Sequence, residues 1–187
     1  KNIETRVKRN DGIKHILYVG SIPVNIRNPL FFLEVFTSLK RMDVDLTIIG
    51  TSTCETMLTE YCTRDRRIRR IQQISHDEAL NKIDEADILL NLGNNINTMM
   101  PSKVFEYMSS GKPIISTAPI KNEPCIPYLA KYDYALIIDE SNTIESETAK
   151  LDSFISNAKA IDPNKLRQKF NLKMPDAVVE TINLLNK

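Results

Sequence analysis

Short runs of Ile, Val and Leu recur along the chain, each followed by a segment whose apolar residues return every three or four positions. The first pattern marks strands buried on both faces, and the second marks amphipathic helices. Strands are predicted at His15–Val19, Val44–Ile49, Arg67–Ile71, Ala86–Asn91, Pro113–Ser116 and Tyr134–Ile138. Helical spacing falls over Pro29–Arg41, where Leu30, Leu33, Val35, Phe36 and Leu39 form the stripe, and over Cys54–Tyr61, Asp77–Ile83 and Ile144–Ala158. Ser75 with Glu78 forms a capping box ahead of the third of these. A short helix is expected at Pro124–Ala130, and further helical segments at Asn164–Phe170 and Asp176–Leu185. Lys1–Lys14 reads as a linker, and residues 15–187 as one domain. Strand and helix alternate throughout. The predicted fold is α/β: a Rossmann-like, doubly wound parallel sheet of about six strands flanked by helices.

Such sheets bind ligands beyond the carboxyl ends of their strands. The segments to inspect are therefore Gly20–Pro29, Gly50–Thr53, Leu92–Ser102 and Thr117–Glu123. In the first, a strand runs into Gly20 and Ser21, and Arg27 stands just before a helix. Backbone N–H groups and a guanidinium placed this way suit a diphosphate. An ordinary β–α loop with a solvated arginine fits the same residues. One glycine falls short of the dinucleotide fingerprint, and no P-loop pattern is present.

The stretch Pro101 to Pro113 holds the densest signal. Ser102 can cap a helix and Gly111 can end it. Val104, Phe105 and Met108 share an apolar face, with Lys103, Glu106 and Ser110 opposite. Lys103 lies in the first turn, where the helix dipole disfavours a cation by about 0.3–1 kcal/mol. A bound anion would remove the conflict. Glu106 could accept hydrogen bonds from the hydroxyls of a ribose, or pair with Lys103 on the surface. For that pair, glutamate after lysine is the poorer order. The polar loop Asn94–Thr98 before this helix suits a face turned to ligand.

Net charge is +1, which gives no bulk electrostatic case for nucleic acid. Cys54, Cys62 and Cys125 lack C-x-x-C spacing and read as reduced, intracellular thiols. With only His15 and His76 available, a zinc site is not expected. No nucleophilic triad or paired-aspartate metal motif is visible, and no apolar run approaches the ~20 residues of a membrane span. His15 opens a strand and reads as structural. His76 could face a base or solvent. The basic run Arg64–Arg70 reads most simply as a solvated strand face. A chain that opens on Lys1 is expected to be a piece of something longer.

The residues from Ile16 to Asp139 resemble the C-terminal, donor-binding half of a GT-B-fold retaining glycosyltransferase of family 4, the "group 1" transferases. Four pieces carry the resemblance: Tyr18-Val19-Gly20-Ser21 with Arg27-Asn28-Pro29; Leu46 to Gly50; Ala86 to Leu90; and Pro101 to Ile115. The last is similar to the family's E-A-M-A-x-G-x-P-V-I block. The resemblance implies transfer of a sugar from a nucleoside-diphosphate sugar to an acceptor, in polysaccharide or glycoconjugate synthesis, with no metal cofactor. Glu106 matches the second glutamate of the family's E-x7-E motif, which binds the donor's ribose. Pro101, Ser102 and Lys103 match the approach to the diphosphate, and Arg27 lies near a basic residue on the phosphates. Gly20 and Ser21 fall in the phosphate loop, with Ser21 where a second basic residue usually stands. Thr98 stands where the first motif glutamate would face the sugar. No general acid or base is assigned. The implied partners are the nucleotide-sugar donor and an N-terminal acceptor domain not contained in this chain, without which the piece is expected to be inactive. The implied location is cytoplasmic, with peripheral membrane contact of the full-length enzyme. Two alternatives stand beside this one: a silent sugar-nucleotide-binding domain, and a sugar-nucleotide epimerase of the same architecture.

Overall fold

In a computed structural model the described residues are 11–99 and 102–159. The expected helices at Asn164–Phe170 and Asp176–Leu185, most of the leading linker and Pro101 lie outside them. Strand β1 (Lys14–Val19) is followed by α1 (Leu30–Thr37), β2 (Val44–Ile49), α2 (Glu55–Arg64), β3 (Ile68–Ile71) and α3 (His76–Glu85). Then come β4 (Ile88–Asn91), α4 (Lys103–Ser109), β5 (Ile114–Ala118), α5 (Ile126–Leu129), β6 (Ala135–Asp139) and α6 (Ile144–Asn157). The six strands form one sheet in the order β3-β2-β1-β4-β5-β6, and every pairing is parallel. Lys14 already pairs with Val44, so β1 opens one residue before the strand's expected start.

Alternation along β1 shows why the sheet is covered twice. Ile16 and Tyr18 join one core with Phe32, Leu33 and Phe36 of α1, Leu58 of α2, and Leu151 and Ile155 of α6. Leu17 and Val19 join the other, with Ile83 of α3, Val104, Tyr107 and Met108 of α4, and Leu129 of α5. Full burial of each large side chain is worth about 1.5–3 kcal/mol, so both faces need helices.

Glycines end β1 and β2 for a steric reason. A Cβ on Gly50, whose φ is +131°, would lie 2.0 Å from the Gly20 carbonyl oxygen. The two strand ends touch there, backbone to backbone. Gly111, with φ +74°, ends α4 in the left-handed conformation that glycine tolerates best.

Helix α1 stops at Thr37, short of Arg41, and the basic run supplies the cause. Arg67 is buried, and its guanidinium donates to the carbonyls of Leu39 (3.0 Å) and Arg41 (2.6 Å) just past the helix. It lies 5.0 Å over the Phe36 ring and pairs with Asp65 at 2.6 Å. Arg70 in turn holds Glu55 at 2.6 Å and reaches the carbonyls of Ile48 and Gly50. The run is therefore a solvated face only in part: Arg64, Arg66 and Arg69 are exposed, while Arg67 and Arg70 are internal ties to groups distant in sequence.

Candidate functional site

The strand order reverses between β1 and β4, the point at which open α/β sheets bind ligands. The ladder between these strands covers only Ile16↔Ile88 and Leu17↔Leu89, after which they part. The Tyr107 hydroxyl from α4 fills the gap, donating to the Val19 carbonyl (3.2 Å) and receiving the Val19 N–H (3.3 Å). Above it opens a cleft of about 150 Å³. Gly20, Ser21 and Arg27 line it from the β1–α1 loop, Leu90 to Leu92 from β4, and Ser102 and Lys103 from the start of α4.

The β1–α1 loop is fixed from both sides. Toward β2 the Ile22 N–H donates to the Thr51 carbonyl (2.8 Å) and the Thr53 N–H to the Ile22 carbonyl (3.0 Å). The Thr53 hydroxyl also accepts from the Val24 N–H at 2.9 Å. Toward β4, Asn95 donates its backbone N–H to Ile26 (2.8 Å) and its side-chain amide to Asn25 (2.7 Å). Arg27 donates through Nε to Asn94 Oδ1 at 2.7 Å and through Nη1 to the Ser21 carbonyl at 3.3 Å. The Tyr18 hydroxyl donates to the same carbonyl at 2.9 Å. Burial pushes the Tyr18 phenol up, so it remains a neutral donor near neutral pH.

Across the cleft, Lys103 Nζ lies 4.0 Å from Glu106 Oε2, with side chains 42% and 36% exposed. The surface pair read as an alternative in the sequence is thus present. Glu106 itself is not among the residues lining the cleft, nor is Thr98, which is exposed in the turn before Met99. Ser102 stands at the helix start with helical dihedrals and makes no capping bond, contrary to expectation. The inward face of α4 is Val104, Tyr107 and Met108, whereas Phe105 is half-buried and meets Tyr128 edge-on at 5.1 Å. Of the expected site residues, five therefore meet at one cleft: Gly20, Ser21, Arg27, Ser102 and Lys103.

Sequence reasoning missed Asn94, Asn91 and Glu123. Asn94 was counted in a ligand-facing loop, but it is fully buried. Asn91 lines the cleft while its amide donates to the Ser116 hydroxyl at 2.8 Å. Glu123 is buried and accepts the Cys125 N–H at 2.7 Å. Burial raises its carboxyl, against the lowering pull of the backbone N–H groups of Cys125 and Asn94. For Asn91 the available signal was a polar residue closing a buried strand; for Asn94 there was none beyond its place in the loop that follows.

His15 bonds Asp45 (2.8 Å) and Asp11 (3.2 Å) at the opposite end of β1 and is structural, while His76 is exposed. Among the described residues no three His, Cys, Asp or Glu converge as metal ligands, and neither a histidine nor a carboxylate lines the cleft. No helix among them is long and apolar enough to cross a membrane.

Residues 13–149 match the family described as "Glycosyl transferases group 1". No curated protein matches by sequence. The lipopolysaccharide outer core galactosyltransferase WaaB, in its apo form, superposes with a TM-score of 0.68 at 17% identity, over 93% of this chain and 49% of that one. Sucrose-phosphate synthase from Thermosynechococcus elongatus gives 0.63 at 14% identity, over 93% and 45%. The C-terminal domain of LpcC, a group 1 family glycosyl transferase from Francisella tularensis, gives 0.57 at 19% identity, over 84% and 81%. At such identities the likeness is one of fold, and that fold is one Rossmann-like half of GT-B. The chain spans less than half the length of WaaB and of the synthase.

Proposed function

Because this chain belongs to the group 1 glycosyl transferases, we propose that it is the donor-binding half of an enzyme moving a sugar from a nucleoside-diphosphate sugar to an acceptor. Polysaccharide or glycoconjugate synthesis is the setting we propose. The observation that carries the reading is that Arg27, from the β1–α1 loop, and Lys103, from the start of α4, line one cleft at the reversal of strand order. A leaving diphosphate gains negative charge as the glycosyl bond breaks. Cations on either side that meet this growing charge stabilise it more than the ground state, which is what accelerates transfer. The two cations offset the diphosphate without a metal being required.

Gly20 and Ser21 bring backbone close to the phosphates. A Cβ on Gly20 would sit 3.1 Å from the Tyr18 hydroxyl, a tight contact that a larger residue meets only if that hydroxyl shifts. We assign Glu106 to the ribose. Lys103 turning from Glu106 to a phosphate would free the carboxylate for the sugar hydroxyls. We assign Pro101 and Ser102 to contact with the diphosphate by family resemblance, and Thr98 to the region facing the transferred sugar. An N-terminal acceptor domain would supply the other wall, and the full-length enzyme would work in the cytoplasm, touching the membrane peripherally.

Thr98 favours one other reading. With threonine at that place and no carboxylate lining the cleft, a sugar-nucleotide-binding domain without transfer activity fits the same nucleotide site. An epimerase has less support, because no histidine lines the cleft. Calorimetry of the chain with UDP and with GDP tests the donor site. Weak binding of one nucleotide is expected, since a single wall is present. Absence of heat with either at millimolar concentration overturns the reading.

A further inference from the structure

We infer that Asn94 is a positioning residue that aims Arg27 at the donor diphosphate and couples it to the loop leading into α4. The inference rests on the donor-site reading above and assigns a role to a residue that lines no part of the cleft.

Asn94 is fully buried, and both ends of its amide are engaged. Its carbonyl oxygen accepts from Arg27 Nε at 2.7 Å, and its NH2 donates to the Met99 carbonyl at 2.6 Å. A guanidinium carries five N–H donors in a rigid plane, so fixing Nε fixes the direction of all of them. Nη1 is steadied by the Ser21 carbonyl at 3.3 Å, and the guanidinium lines the cleft with its direction set. A solvated arginine would sample many rotamers and lose that freedom on binding. Here the ordering has been done by the fold. The second amide bond gives Asn94 its coupling role. Met99 lies four residues before Lys103, so one buried side chain joins the cation on the β1 side to the chain carrying the cation on the α4 side. Asn95 repeats the tie at backbone level through Ile26 and Asn25.

The test is a double-mutant cycle on the whole chain, read by titration with whichever of UDP and GDP binds. Asn94→Ala is expected to weaken binding about tenfold, a fraction of the loss for a hydrogen bond to a charged group. In an Arg27→Ala background the same change is expected to alter affinity less than about twofold, because nothing remains to aim. An equal loss in both backgrounds overturns the inference, as does unchanged affinity in Asn94→Ala. Arg27→Lys covers the case in which Asn94→Ala does not fold. It keeps the charge but lacks the planar fork that Asn94 orients, so a loss of about fivefold or more is expected, and full affinity overturns the inference. A failure of the unaltered chain to bind either nucleotide is a different result. It removes the donor site itself, and this role with it.

Discussion

The Tyr107 hydroxyl takes the place of a missing strand beside Val19. It serves both the N–H and the carbonyl of that residue, at 3.3 and 3.2 Å, where β1 has parted from β4. A doubly wound sheet must separate its strands at the reversal point to admit a ligand, and separation leaves backbone groups without ladder partners. Here one phenol, almost wholly buried, satisfies both. Tyr107→Phe keeps the packing and removes the bonds, so it is expected to cost about 1–3 kcal/mol, the desolvation of groups left unpaired. Denaturant unfolding measures it. An unchanged midpoint would show that these bonds add no net stability.

Gly50 lies close against a neighbouring strand end. Its Cα faces the Gly20 carbonyl, and an added Cβ would come within 2.0 Å of that oxygen at a φ of +131°. Gly50→Ala must displace the first residue of the proposed phosphate loop or strain β2. A loss of about 2 kcal/mol or more is expected. Because the displaced group is Gly20, nucleotide affinity should fall as well. A variant of unaltered thermal midpoint would show that the strand ends separate freely.

Asp65 links stability to pH. Desolvation, the largest single influence, raises its carboxyl, but hydrogen bonds and charge from Arg67 together override it and hold the group below its ordinary value. A carboxyl depressed in the folded state adds stability above its unfolded pKa, and that stability is lost as pH falls through the folded value. The gap in stability between the native chain and Asp65→Asn should therefore be widest near neutrality and close below about pH 4, near the ordinary aspartate value. Urea midpoints of both proteins across that range provide the check. A constant gap would assign the effect to packing instead.

Most strands were legible as short apolar runs, and β2 was placed to the residue; β3, Ile-Arg-Arg-Ile, shows only the alternation of a half-buried edge strand. The capping box at Ser75 and Glu78 was legible for a local reason, its partners being three residues apart. Arg67 was not, since the carbonyls it serves lie 26 and 28 residues away in sequence. Asn94 lies 67 residues from Arg27, and a polar loop residue gives no sign that it is fully buried. Tyr107 was left off the inward face of α4 because its polar tip obscured a buried ring. The sequence pattern thus carried the elements and the neighbourhood of the site. The ties that aim its side chains are long-range, and only the folded chain brings them together.

Glu106 separates the two readings that the sequence left open. At 4.0 Å and about two-fifths exposed, its pairing with Lys103 is a surface contact of little energy, typically below 1 kcal/mol. Glu106→Ala should leave the thermal midpoint within a degree or two, since glutamate and alanine are both good helix formers. If the carboxylate binds a ribose, the same change should weaken nucleotide binding by about 1.5–3 kcal/mol, the range for hydrogen bonds to a charged group. The loss should appear with a nucleoside diphosphate and vanish with inorganic pyrophosphate, which has no ribose. Equal affinity of native and variant chains for the nucleotide would return Glu106 to the surface pair. A loss that persists with pyrophosphate would show that the effect does not run through the ribose, since removing a carboxylate beside Lys103 should by itself strengthen anion binding.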